Sequence, residues 1–289
     1  MRRIVVKLGT NVIMRPDGKV ALGLLCGLVE QIAALRSRDM DVLVVSSGSI
    51  GLGVERLGLS SRPSALEQIQ ACAAVGQSRL MALYDDAFDR LGCRIAQVLL
   101  TEDDFRDPVR HGNLRATLHS LLALGVIPIV NENDTVSTME LDRPVAPARV
   151  NDEQGEHVGE SRTNSSQARL FGDNDKLSAL LLTHIDADLL VLLSDVDGLY
   201  DRNPAQPGAN VIPSVSKIDG RILEFAHGGN GRGRGGMLSK LESARIALEA
   251  GKAVVIANGR TPAVLERIIA GEQVGTRFAA AGGSAEVTR

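Results

Sequence analysis

The stretch DVLVVSSGSIGLG, residues 41–53, carries the pattern that decides the fold. A β-branched apolar run is followed by two serines and a glycine-rich turn, after which a new segment begins. A short apolar run of this kind predicts a strand that is buried on both faces, as in a parallel sheet. Further runs of this type, also predicted as strands, occupy residues 4–9, 94–100, 126–131, 188–194 and 252–257.

Longer amphipathic segments separate these strands. The clearest of them, at 21–38, 65–91 and 237–251, predict helices. Strands that alternate with helices predict an α/β fold with a mainly parallel central sheet covered by helices on both faces. Ligands of such sheets bind beyond the carboxyl ends of the strands, so the residues that follow each strand are the candidates for function.

The bulk composition narrows the class of protein. With 289 residues, 44% hydrophobic and 23% charged, the chain can form one large α/β domain or two small ones. A net charge of −3 and an aromatic content of 2% argue against a nucleic-acid partner. No leader peptide or bilayer-spanning segment is recognisable, so we predict a soluble, cytoplasmic protein without a membrane partner. Cys26, Cys72 and Cys93 are predicted to be small buried hydrophobes.

The first two strands end in residues that suit an anion. Lys7 interrupts an apolar strand, where it either contacts a phosphate or reaches water from an edge strand. The Gly9–Thr10 turn and the glycines of SSGSIGLG, residues 46–53, offer backbone amides to a charged ligand. Their order, G-x-x-G-x-G, differs from the dinucleotide fingerprint, and the chain has no Walker-type phosphate loop.

Later strand ends carry acidic, amide and basic residues. They occur in NENDTV (131–136), GDNDKLSALL (172–181), SDVDGLYD (194–201) and GGNGRGRGGMLSK (228–240). A single Asp or Asn caps a helix, so three in a row exceed what a cap needs. Lys240 falls in the first turns of a predicted helix, where a cation is disfavoured unless an anion is bound. Since no Ser–His–Asp or Cys–His pattern is present, we predict phosphoryl transfer, which depends on positioning and charge.

Seven motifs in order resemble the amino acid kinase family over residues 3 to 278. They are VVKLGTN, VVSSGSIGLG, QACAAVGQSRLM, VIPIVNENDTV, FGDNDKLSALL, LLSDVDGLYDRNP and GRGGMLSK. The resemblance implies a three-layer α/β/α sandwich that phosphorylates the γ-carboxylate of L-glutamate with ATP and Mg²⁺, the first step of proline biosynthesis. We further predict a kinase domain over 1–278 with a polar insertion at 141–170, a flexible tail at 279–289 and, unlike many members of the family, no C-terminal RNA-binding-like (PUA) domain.

The same resemblance assigns roles to particular residues. The catalytic residues would be Lys7, Asp175 and Lys240, with Asp175 orienting the two lysines rather than acting as a base. Glutamate would be held by Ser47, Asp134 and Asn174. The nucleotide would be held by Lys7, Ser194, Asp195, Arg234, Gly235, Gly236, Met237, Leu238, Ser239 and Lys240. Asp173 would be a simple helix cap, and no protein ligand to a metal is assigned.

The resemblance further implies partners and leaves alternatives. L-proline would be a feedback inhibitor, glutamyl phosphate reductase would consume the product, and the chain would form a homo-oligomer. Two features depart from the family pattern: Arg234 replaces a threonine, and the segment 141–170 is lengthened. The alternatives are a sister kinase for another carboxylate or phosphate, a glutamate or proline sensor without turnover, and a dinucleotide-dependent oxidoreductase.

Overall fold

A computed structural model describes residues 2–136, 174–227 and 236–280. The predicted insertion at 141–170, Asp173, Arg234 and Gly235 lie outside these residues, as do positions 281–289 of the predicted tail.

Eight strands form one sheet in the described residues. In chain order they are β1 (Arg3–Leu8), β2 (Asp41–Ser46), β3 (Ile95–Leu100), β4 (Ile127–Glu132), β5 (Leu189–Ser194), β6 (Ser214–Val215), β7 (Ala253–Asn258) and β8 (Thr276–Phe278). Their spatial order is β3-β4-β2-β1-β5-β7-β8-β6, and every pair is parallel except β7 with β8. The six predicted strands and the mainly parallel sheet are confirmed.

Helices cover both faces of this sheet. They are α1 (Thr10–Ile13), α2 (Leu22–Arg36), α3 (Ser49–Arg56), α4 (Leu66–Asp89), α5 (Asp103–Arg106), α6 (Pro108–Ala123), α7 (Asn174–His184), α8 (Gly220–His227), α9 (Met237–Glu249) and α10 (Val264–Ile269). No described helix is both long and apolar enough to cross a membrane.

Alternation along the strands divides the core into two layers. In β1, Ile4, Val6 and Leu8 join the core formed with α2, α4 and α10, whereas Val5 joins the core formed with α6, α7 and α9. Successive strand residues point to opposite faces, so Lys7 points to the same side as Val5, toward α7 and α9. The predicted three-layer α/β/α sandwich is confirmed. In this sandwich, Lys7 lies between the sheet and the helices α7 and α9.

Three details differ from the sequence predictions. Strand β3 lies at the sheet edge and is only partly buried, so the prediction that it is buried on both faces is wrong. The antiparallel β8 has three residues, too few for a periodic signal. Cys72 is buried as predicted, but Cys26 and Cys93 are only partly buried.

The glycines after β2 serve helix packing as well as the turn. Gly48 has a φ of 101°, a conformation that favours glycine, and it begins α3. A Cβ atom on Gly53 would lie 1.9 Å from the carbonyl oxygen of Cys72 in α4. On Gly76 of α4 it would lie 1.7 Å from the carbonyl oxygen of Ser49. Gly53 was predicted to approach a ligand, but it brings α3 and α4 into backbone contact instead.

Replacing Gly76 by alanine is therefore expected to separate α3 from α4. The new methyl group would overlap backbone atoms, which cannot rotate away, and overpacking of this kind costs about 1–3 kcal/mol. Denaturant unfolding should show that loss. The control is Gly112→Ala in α6, where an added Cβ atom has open space. Equal stability of the Gly76→Ala variant and the unchanged chain would contradict the close packing of the two helices.

Candidate active site

Two lysines that are distant in the sequence meet on one carboxylate. The Nζ atom of Lys7 lies 2.6 Å from Oδ1 of Asp175, and the Nζ atom of Lys240 lies 2.9 Å from its Oδ2. The side chain of Asp175 is fully buried, and those of the two lysines are only 6% and 5% exposed. One negative and two positive charges thus share a nearly closed site with an excess of one positive charge.

Three secondary-structure elements bring these groups together. Lys7 lies near the carboxyl end of β1, which is flanked by β2 and β5 in the middle of the sheet. The edge-strand alternative for Lys7 is therefore wrong. Asp175 lies in the first turn of α7, and Lys240 lies in the first turns of α9, which packs against α7. The predicted location at the carboxyl ends of the strands follows from this arrangement.

The charge state of Asp175 is set by opposing effects. Burial raises the pKa of its carboxyl group, but Lys7 and Lys240 attract the ionised form and together hold that pKa below its ordinary value. Asp175 therefore stays ionised in the folded protein. Both of its oxygens face an ammonium group, so it is placed to orient the lysines and is poorly suited to accept a proton.

Beside the charged cluster, the side-chain amides of Asn174 and Asn131 are joined by hydrogen bonds along the carboxyl ends of the strands, and we call this row the amide chain. Nδ2 of Asn174 donates to the backbone oxygen of Ser46, to Oγ of Ser47 and to Oδ1 of Asn131, at 3.1, 3.1 and 2.8 Å. Two of the three predicted glutamate ligands, Ser47 and Asn174, are thus in contact. Asn131 was recognised only as part of a polar cluster, although it is buried and joins β4 to this chain.

The third predicted glutamate ligand lies after β4. Oδ2 of Asp134 accepts a hydrogen bond of 3.2 Å from Oγ of Ser49, at the start of α3. The bond joins the loop after β4 to the glycine turn after β2, since Ser49 directly follows Gly48. A carboxylate held there is suited to an ammonium group of a ligand.

On the other side of Lys7, the end of β5 carries the predicted nucleotide residues. Oγ of Ser194 donates to Oδ1 of Asp195 over 3.2 Å, and Nδ2 of Asn11 donates to Oδ2 over 2.8 Å. Gly9 lies between this group and the cluster: a Cβ atom there would lie 3.9 Å from Nζ of Lys7 and 4.0 Å from Cα of Ser194. Its amide donates to the Leu193 carbonyl, so one of the amides of the predicted Gly9–Thr10 anion turn is already engaged within the fold.

The start of α9 carries the remaining predicted nucleotide residues that the structure describes. Gly236 precedes the helix in an extended conformation and is exposed, as is Leu238. Met237 and Ser239 are partly buried, and Lys240 turns inward to Asp175. The positive end of the α9 helix dipole and the inward lysine together favour an anion at this position.

Sequence reasoning missed two further groups around the site. Asn11 contacts Asp195, and its place directly after the KLGT turn was the available signal. Ser46 shares a hydrogen bond of 2.8 Å with the hydroxyl of Tyr84, which is completely buried. Burial raises the pKa of Tyr84 despite the bond to Ser46, so its hydroxyl stays protonated. Nothing in the helical pattern of α4 marks Tyr84 as different from a core residue.

The described residues offer no ready-made metal site. Within 2–136, 174–227 and 236–280, no group of three or more His, Cys, Asp and Glu side chains is placed to hold a metal ion. Asp175 is engaged by two lysines and Asp195 by Asn11 and Ser194. The donor set therefore does not form a protein cage for Mg²⁺, an ion that is commonly held through substrate phosphates and water.

Comparison with known proteins agrees with this geometry. Residues 2–258 match the model of the amino acid kinase family. The glutamate 5-kinase of Gloeobacter violaceus is 46% identical over 97% of this chain and 69% of its own length. Those of Symbiobacterium thermophilum and Lactiplantibacillus plantarum are 43% and 40% identical, over 97% and 96% of both chains.

Solved structures support the same fold. An isopentenyl phosphate kinase superposes with a TM-score of 0.61 over 96% of this chain and 100% of its own, at 18% identity. That likeness concerns the fold alone. The family model and the glutamate 5-kinase relatives go further, because they match most of the chain in sequence. The chain belongs to the amino acid kinase family, and within it to the glutamate 5-kinases.

Proposed function

We propose that this chain transfers the γ-phosphoryl group of ATP to the γ-carboxylate of L-glutamate, giving L-glutamyl 5-phosphate in the first step of proline biosynthesis. The observation that carries the proposal is the convergence of Lys7 and Lys240 on the buried Asp175. The names of relatives up to 46% identical support the choice of glutamate.

The reaction demands little covalent help from the protein. A carboxylate oxygen of glutamate attacks the γ-phosphorus, the bond from that phosphorus to the β,γ-bridging oxygen breaks, and ADP leaves with the electron pair. Because a glutamate carboxyl group has an ordinary pKa near 4.3, the nucleophile is already ionised and needs no general base. What the step requires is compensation of negative charge as the phosphoryl group passes between two anions.

The lysine cluster meets that requirement. Asp175 neutralises one of the two ammonium charges and fixes both in position, so the excess positive charge faces the transferring group. Ser194, Asp195 and the start of α9 lie on the nucleotide side of Lys7, whereas Ser47, Asn174 and Asp134 lie on the glutamate side. In this arrangement Asp134 pairs with the α-ammonium of glutamate. Mg²⁺ would be carried on the phosphates of ATP and supply further positive charge there.

One assay tests the proposal directly. Purified protein is incubated with L-glutamate, MgATP and hydroxylamine, which traps the acyl phosphate as a γ-glutamyl hydroxamate that colours with ferric ion. We expect colour with L-glutamate and none with L-aspartate or N-acetyl-L-glutamate. Colour with another carboxylate alone would favour a sister kinase. ATP binding without any product would favour a sensor, the role that the replacement of threonine by Arg234 supports.

The proposal extends to partners of the reaction. The product is a labile acyl phosphate, so glutamyl phosphate reductase is its expected consumer. L-Proline is the proposed feedback inhibitor and a homo-oligomer is the proposed assembly. The segment 141–170, between the NENDTV and GDND motifs that carry the glutamate ligands, is proposed as an insertion in the kinase domain 1–278.

A further inference from the structure

One amide of the site has no role in the contacts described above. Gln77 of α4 accepts a hydrogen bond of 2.8 Å at Oε1 from Nδ2 of Asn131. Its own Nε2 group is buried and has no hydrogen-bond partner among the residues that the structure describes. At the opposite end of the same amide chain, Oδ1 of Asn174 is also buried and has no partner within those residues. A buried polar atom that lacks a partner costs free energy, and each such atom calls for an explanation.

Backbone groups fix which way each amide points. The N–H group of Glu132 donates to Oδ1 of Asn131 over 2.9 Å, so that atom must be the oxygen. Nδ2 of Asn131 then faces Gln77, which must present its own oxygen, leaving the Gln77 Nε2 group as a donor. The backbone oxygen of Ser46 likewise requires Nδ2 of Asn174 and leaves Oδ1 as an acceptor. The free ends of the chain are thus one donor and one acceptor.

The position of Gln77 determines which end of the substrate its side chain can contact. The amide chain starts beside Lys7 of β1 and passes β2 to reach β4, about two strand spacings or ~10 Å away. The reacting carboxylate must lie by the lysines, so Gln77, beyond Asn131, faces the other end of the ligand. An N–H donor there repels an ammonium group and suits a carboxylate.

We infer that the Nε2 group of Gln77 binds the α-carboxylate of the amino-acid substrate and makes the site selective for it. The inference rests on the proposed function, which identifies that substrate as glutamate. Asp134, in the loop after β4, is left for the α-ammonium group, so the two charged groups at the α-carbon have separate partners. Gln77 is in this sense a specificity residue, because it touches the end of the substrate that does not react.

Gln77→Met tests the inference, because methionine keeps the length of the side chain and removes the amide. Loss of a hydrogen bond to a charged group should lower kcat/KM for L-glutamate about 10- to 100-fold. The α-amide of L-glutamate offers only a neutral carbonyl acceptor in place of the carboxylate, so its kcat/KM, or its inhibition constant against glutamate, should change much less. The preference for glutamate over the α-amide should collapse. The KM for ATP should remain unchanged, whereas the thermal midpoint should fall modestly because the buried Asn131 amide loses its acceptor.

Gln68→Met is the matched control, since Gln68 is an exposed glutamine of the same helix, and it should keep the preference. If kcat/KM fell equally for L-glutamate and for its α-amide in the Gln77→Met variant, the inference would be overturned, because that result would show that Gln77 only holds Asn131 in place. An unchanged preference would also overturn it.

Calorimetric binding of L-glutamate separates this inference from the proposed function. If the protein without substitutions binds glutamate but forms no hydroxamate, the proposed reaction is wrong. In that case, weaker binding of glutamate to the Gln77→Met variant would still support the role of Gln77. Unchanged protein that neither binds nor phosphorylates glutamate would defeat both.

Discussion

Replacing Asp175 by asparagine is expected to lower the free energy of unfolding by about 3–5 kcal/mol and to abolish hydroxamate formation. The substitution keeps the size of the side chain but removes the carboxylate that pairs with two nearly buried ammonium groups, and such losses are strongly destabilising. Activity falls for a related reason, since repulsion moves the lysines away from the positions that Asp175 holds. Urea unfolding and the hydroxamate assay measure the two effects.

The pH dependence of this loss has a definite sign. The pKa of Asp175 is depressed in the folded protein, so its stabilising contribution is complete above the unfolded value near 3.9 and is lost as the pH falls through the folded value. The difference in stability between the two proteins should therefore narrow below about pH 4. A difference that stays constant into this range would contradict an ionised Asp175.

Two further variants test whether the loss of stability in Asp175→Asn depends on the burial of the carboxylate and on the charges of the lysines. Asp186→Asn removes a carboxylate from a surface ion pair with Lys252, so it should have little effect on stability. Adding Lys240→Met to Asp175→Asn removes one of the two ammonium groups that had paired with Asp175. The double variant should be more stable than Asp175→Asn alone and still inactive. Additive losses would mean that the two residues do not interact.

The strands were predictable because burial on both faces leaves a continuous apolar run, as in VLVV of β2 and LLVLL of β5. Lys7 was visible for the same reason, since a charge inside such a run requires a partner. The partial burial of β3 was not predictable, because edge position depends on the order of strands, which the sequence does not encode locally. Gly53 was misinterpreted because a turn to a ligand and a contact between helix backbones both require a missing Cβ atom.

The site was only partly readable from the sequence. Asn174 and Asp175 stood out because their polarity exceeds what a helix cap needs. The roles of Gln77 and Tyr84 were invisible, since an amide or a hydroxyl on α4 acquires a partner only when β2 and β4 are placed beside the helix. Long-range hydrogen bonds of this kind depend on the fold and leave no periodic signal.

Replacing Lys240 by methionine is expected to lower kcat about 10²- to 10³-fold, the usual cost of losing one group that stabilises developing charge. Stability should change far less than in Asp175→Asn. Methionine retains the apolar stem of lysine in its packed position, and Asp175 keeps Lys7 as a partner at 2.6 Å. The hydroxamate rate at saturating glutamate and ATP, together with the thermal midpoint, measures both quantities.

The reason for this asymmetry lies in the count of charges. With both lysines the cluster has one positive charge more than Asp175 neutralises, and that excess is what a phosphoryl group in transfer can use. Without Lys240 the remaining pair is neutral, so the fold loses little while the reaction loses its local charge. Lys252→Met, which removes a lysine from a surface pair beyond the far end of α9, is the control and should leave both quantities unchanged. If the Lys240→Met variant kept its kcat, the excess charge would have no part in the reaction and the catalytic assignment of this cluster would be wrong.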